Sequence, residues 1–208
     1  MADDWFRNSV WDEETARIFY TKLARAKSQR DQYLVIQAIT LVDRHPEVTL
    51  SLVEEYFKTR RECYHDARAH SARAEAHLKL GDVRAAIAAM KAAMLAEAAN
   101  PGFRTSCFVD LPYLIARESI REEYPYAIQT LSTHPVDDSE PPIHKFKWHA
   151  AKSVLSLDGG NPETVRHHAK LALACAQQRR PWFTLRAKLG LVESEHDKMI
   201  KRLREIQR

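Results

Sequence analysis

Ten histidines and three cysteines are the side chains with the most chemistry to offer in this 208-residue chain. Zinc needs ligands that converge and a surrounding shell that orients them. His144 and His149 stand five apart, and His167 and His168 are adjacent. Adjacent residues do not share a helix face. No HExxH occurs, and no carboxylate sits at ligand spacing from these histidines. Cys63, Cys107 and Cys175 are far apart, odd in number and form no CxxC pair. That pattern speaks against a disulfide framework and against a cysteine-based zinc site. Cys63 or Cys107 could act as a nucleophile only with a base brought up by the fold; the plainer reading is buried or partly buried thiols. There is no GxSxG elbow and no glycine-rich phosphate loop. Asp137-Asp138 and Glu122-Glu123 read as loop or helix-start charges. The chain is expected to be no enzyme, and to carry neither metal nor cofactor.

A second kind of chemistry is electrostatic. Residues 1–100 hold 15 basic and 15 acidic side chains, whereas residues 164–208 hold 11 basic and 4 acidic ones. Such a basic end can attract an acidic protein face, nucleic acid or anionic lipid, or be an ordinary solvated helix face. Within it, Arg179-Arg180-Pro181-Trp182-Phe183, followed by Arg186 and Lys188, interleaves cations with aromatics. Single-strand nucleic-acid contacts have that composition. So does a loop that tucks aromatics under a terminal helix.

The elements that must position these groups are helical. Only 5 Gly and 9 Pro interrupt the chain, too few for strands joined by tight turns. A hydrophobic share of 45% excludes wholesale disorder. Residues 12–27 read as a helix with Asp12 as N-cap and Glu13 and Glu14 in the acid-favouring first turn. Trp5, Phe6 and Trp11 precede it and are expected to fold back as a lid. Residues 29–43 form the next helix, and His45-Pro46 opens a third that runs to about Phe57. Residues 66–80 and 83–98 form a clear alanine-rich pair. Gly81 supplies the left-handed end of its first helix, and Asp82 caps the second. Residues 107–119 and 122–132 follow, with Pro112 and Pro125 placed early in each helix, where a missing N–H costs little. Residues 143–157 and 162–178 make the last pair, and Ser194–Ile206 a terminal helix with Ile200, Leu203 and Ile206 on one face.

Helix pairs at this spacing are the mark of a stacked array, because one hairpin cannot bury its own apolar face. Residues 67–95 resemble a tetratricopeptide repeat: Ala74 takes the small position, Leu80-Gly81-Asp82 the turn, and Ala86, Met90 and Ala93 the second helix. His70 and His77 stand where that family has a bulky aromatic and a tyrosine. Residues 144–173 resemble the repeat more loosely, through Ala151, Asp158-Gly159-Gly160, Val165, Ala169, Ala172 and Leu173. The opening Asp-Asp-Trp-Phe-Arg, followed by Trp11, is similar to that of a group of bacterial tetratricopeptide-like proteins. The resemblance implies an all-α, right-handed superhelical array of about nine or ten helices over residues 1–208. The clearest repeats are 67–100 and 144–178, with 182–208 as a capping segment. It also implies a concave binding surface. The positions facing it are Arg68, Ser71, Glu75 and Lys79 in the first repeat, and Lys145, Trp148, Lys152 and Ser156 in the second. Three lysines, an arginine and a tryptophan there suit an acidic peptide or a terminal carboxylate. The expected function is therefore a protein-binding scaffold or adaptor, one form of which is an inhibitor or immunity-type partner. The alternative is a nucleic-acid-associated protein using the basic C-terminal segment. Separated cysteines, an acidic opening without an apolar stretch and no run of membrane-spanning length point to the cytoplasm.

Overall fold

The computed structural model describes residues 4–180, 182–183 and 189–208. Among them the fold is all-α, with ten α-helices. No helix of the described residues is long and apolar enough to cross a membrane. The chain forms two compact units, Met1–Cys107 and Phe108–Arg208.

The first unit holds α1 (Glu13–Leu23), α2 (Arg30–Leu41), α3 (Pro46–Thr59), α4 (Asp66–Lys79) and α5 (Val83–Ala99). Local signals set their ends. The Asp12 carboxylate accepts the Thr15 N–H at 2.7 Å, and Asp82 accepts the Ala85 N–H at 2.9 Å. Each satisfies one donor the helix leaves unpaired. Pro46 opens α3, and Gly81 ends α4 in the left-handed region at φ +80°. The helices run back and forth. Arg30 near the start of α2 meets Glu55 and Thr59 near the end of α3, while the buried Thr49 hydroxyl donates to the Ala38 carbonyl at 2.9 Å. α4 buries Ala67, Ala69, Ala72, Ala74 and Ala76, small residues on more than one side, because it packs against α3 as well as α5.

The core of this unit joins Phe19 and Leu23 of α1 to Leu34, Leu41, Leu52 and Tyr56. Each such leucine contributes roughly 1.5–3 kcal/mol through burial. The aromatic lead segment closes over it as expected: Phe6 stacks on Tyr33 at 4.4 Å, and Trp5 and Trp11 meet Phe19 at 5.5 and 5.4 Å. Its fastening is Gln37, fully buried on α2, whose amide donates to the Asn8 carbonyl at 2.7 Å and accepts the Asn8 N–H at 3.1 Å.

The second unit contains α6 (Cys107–Glu118), α7 (Tyr124–Thr133), α8 (Pro142–Leu155), α9 (Pro162–Ala176) and α10 (Asp197–Ile206), with short 3-10 turns ahead of α7 and α10. Pro112 differs from expectation. It lies at the sixth residue of α6, past the turn whose N–H groups are unpaired anyway, so it removes a helical hydrogen bond. α6 then ends with Ser119 at φ +56°, a left-handed conformation usually left to glycine. α10 buries Met199 and Leu203, while Ile200 and Ile206 are half-buried.

Candidate functional site

α8 and α9 are antiparallel, and that register builds the most distinctive cluster in the second unit. Pro142 starts α8, and Pro162 follows the Asn161 cap of α9. Near the turn, the buried Ser153 hydroxyl donates to the Val165 carbonyl at 2.9 Å. One turn further out, His149 of α8 meets His168 of α9. Their rings stack at 5.2 Å with a 25° tilt, and the two Nδ1 atoms lie 3.0 Å apart in a hydrogen bond. One ring must donate there and the other accept, so the two are opposite tautomers.

Trp148 sits against both rings, edge to face, at 5.0 Å from His149 and 5.6 Å from His168. Its indole N–H donates to the His134 carbonyl at the end of α7, 3.0 Å away, which fixes the ring's orientation. Lys145 places its ammonium 5.5 Å over the Trp182 ring and 4.0 Å from the exposed Asp138 carboxylate. Lys152 and Ser156 are half-exposed at the other end of α8. Burial pulls His149 down to about 4, and the neighbouring His168, His167 and Lys145 push it the same way. Burial also lowers His168, with His167 and Lys152 adding to the effect. Both rings are therefore neutral at pH 7, in surroundings that are cationic. Burial raises the Cys175 thiol, and Lys145 offsets part of that rise.

The other expected surface residues lie on α4, in the first unit. Arg68 is half-buried, with its guanidinium 5.8 Å over the Phe103 ring. Ser71 is half-exposed and Glu75 exposed. Lys79 pairs with Asp43 at 2.6 Å. Arg68 and Lys79 are thus already engaged within their own unit. Beside them lies a cluster that spacing did not reveal. Phe57 of α3 carries the Arg60 and Arg73 guanidiniums at 4.9 and 4.8 Å and the His70 ring at 4.5 Å. Burial holds His70 down to about 4. So His70 packs as a neutral ring against Phe57.

Among the described residues, no three His, Cys, Asp or Glu side chains converge in a way that could hold a metal ion. His144 bonds to Glu140 at 2.7 Å, so, against the sequence expectation, a carboxylate four residues away does sit within reach of one of these histidines. Cys63 is exposed and accepts the Asn100 amide at 3.3 Å, while Cys107 and Cys175 are buried. In the basic–aromatic stretch, Arg179 folds back onto the Ala176 carbonyl at 2.8 Å and Trp182 lies under Lys145. Pro181, Arg186 and Lys188 lie outside the described residues. The residues the sequence reading missed are His149 and His168 as a pair, because it compared histidines within one helix and the contact is between two.

No protein-family model matches this chain, nor does any curated protein or solved structure.

Proposed function

We propose that this chain is a protein-binding adaptor of the bacterial cytosol, built of tetratricopeptide-like hairpins in a right-handed array, that takes an acidic segment of another protein. One observation carries the reading. On the α8–α9 hairpin, Lys145 and Lys152 accompany the neutral His149–His168 pair beside a half-buried tryptophan. Asp138, exposed, lies 4.0 Å from Lys145. Partly exposed cations beside an aromatic attract an acidic ligand. Trp148, half-buried and held by its N–H, is the type of rigid aromatic that anchors an apolar side chain beside such charges. The back-and-forth course of α2, α3 and α4, the tight α4–α5 turn and the antiparallel α8–α9 pair support the repeat reading.

The test is fluorescence anisotropy with a labelled octaglutamate peptide at low ionic strength, alongside a random single-stranded oligonucleotide of equal charge. The expected result is peptide binding that Lys152→Glu weakens about tenfold, as loss of a close charge pair does, with Trp148→Ala weakening it further. Absence of peptide binding would overturn the reading. Preference for the oligonucleotide would replace it with the nucleic-acid alternative.

A further inference from the structure

We infer that a carboxylate of the acidic partner docks at the exposed edge of the His149–His168 pair and that the pair takes up one proton as it docks, so that acid tightens the complex. This rests on reading the α8–α9 hairpin as an acidic-segment site, and adds to it the docking residues and their coupling to pH.

The hydrogen bonding of the pair defines how many protons it can hold. In the neutral state the donor ring carries its single hydrogen on Nδ1, so its Nε2 is a bare lone pair. The acceptor ring carries its hydrogen on Nε2. Among the described residues neither Nε2 bonds to the protein, and neither is a sealed, unpartnered atom of the kind found at His65, His70 and His196. Both rings are partly exposed, and Nε2 is the nitrogen of each that the pair's own bond leaves for a ligand. A first proton adds to the bare Nε2, leaves the 3.0 Å Nδ1 contact intact and converts it to a charge-assisted bond. The edge then offers two N–H donors and one positive charge. A second proton would have to go on the accepting Nδ1, where it would break the bond. The capacity is one.

What keeps that proton off at neutral pH is first the burial of the rings and then the nearby cations. The lysines acting on the two rings are Lys145 and Lys152, both on α8. α7 contributes the His134 carbonyl, which Trp148 occupies. Among the described residues no charge of α7 or α10 acts on the pair. A metal cation would meet the same repulsion from both lysines. A carboxylate meets the reverse: it is attracted by Lys145 and Lys152, and an opposite charge at the ring edge favours the protonated form against both burial and the lysines. At the edge of a protein such a contact is strong enough to bring the pair into the physiological range.

The experiment uses the full chain and octaglutamate, titrated from about pH 8 to about pH 5.5 at constant ionic strength, where glutamate stays ionised. Affinity is expected to rise up to tenfold per pH unit in the lower half of that range, the limit for one proton. Calorimetry in buffers of different ionisation enthalpy should count close to one proton taken up by the wild type. His149→Gln and His168→Gln should each flatten the pH dependence and leave the weaker, salt-sensitive binding due to the lysines. His77→Gln, on α4 of the first unit, should keep the slope. Should either glutamine variant fail to fold, as judged by circular dichroism, the wild-type proton count decides alone. Binding that is independent of pH with no proton uptake would overturn the inference and leave the acidic-segment reading standing. So would a slope that survives in both variants. No binding at any pH would overturn both.

Discussion

Acid should destabilise the second unit through His196, and the size of the effect follows from its surroundings. His196 is 5% exposed, ahead of α10. Its Nδ1 bonds to the Tyr113 hydroxyl at 2.9 Å, and its ring meets Tyr113 edge-on and Phe146 at 5.3 Å. Nε2 has no hydrogen bond; the exposed Glu195 carboxylate lies 3.3 Å away but out of line. Burial, reinforced by Lys147 and Arg117, brings the imidazole from 6.5 down to about 4. The unfolded chain therefore takes up this proton near pH 6.5, and the folded chain only near pH 4. Between those values the unfolded state binds more protons, so stability falls as pH falls, by up to about 1.4 kcal/mol per unit. At about pH 4.5 the accumulated loss is about 2.5 kcal/mol from this one group. His70 and His149 are depressed in the same direction, so the comparison that isolates His196 is a difference. His196→Gln keeps an amide for the Tyr113 hydroxyl and cannot titrate. Urea unfolding followed by circular dichroism, at steps from about pH 7.5 to about pH 4.5, should show the wild type losing about 2–3 kcal/mol more than the variant. The variant starts less stable, having lost ring packing, and the two curves should converge towards acid. Parallel curves would refute the reasoning, because they would mean that His196 is hydrated and titrates normally in the fold.

Two other substitutions probe the backbone and the lid. Gln37→Leu leaves the Asn8 N–H and carbonyl without their partner amide, and should cost about 1–3 kcal/mol in urea unfolding, with a shift in tryptophan fluorescence as Trp5 loosens. Ser119→Gly relieves a side chain from the left-handed region at φ +56°, and should stabilise the chain by up to about 1 kcal/mol in the same assay.

What could be read in the sequence was whatever depends on a few consecutive residues. Asp12, Pro46, Gly81 and Asp82 mark helix ends through their own side-chain chemistry, and the structure uses each of them as marked. Pro112 at an interior helical position and Ser119 at φ +56° run against local preference, so nothing in the nearby sequence marks them. Lys79 with Asp43, and Gln37 with Asn8, escaped because each joins separate elements.

The histidine pair belongs to that second kind, yet a signal for it existed. In an antiparallel hairpin, residues equally distant from the turn face each other. His149 lies seven residues before the start of the Ser156–Asn161 turn, and His168 lies seven after its end. Seven residues are two helical turns, so the spacing keeps both rings on the facing side. The same count outward from the turn between α2 and α3 gives Val35 and Leu52, which are 1% and 0% exposed. In α4–α5 the same count gives the half-exposed Arg73 and the buried Ala89, and in α8–α9 it gives two titratable rings bonded to each other. A polar pair between two helices costs stability unless its groups are satisfied. Here one bond satisfies one nitrogen of each ring. Polar groups held at a helix–helix contact mark a place to look for function, and on that ground the α8–α9 edge ranks ahead of the α4 residues, whose Arg68 and Lys79 are already paired within their own unit.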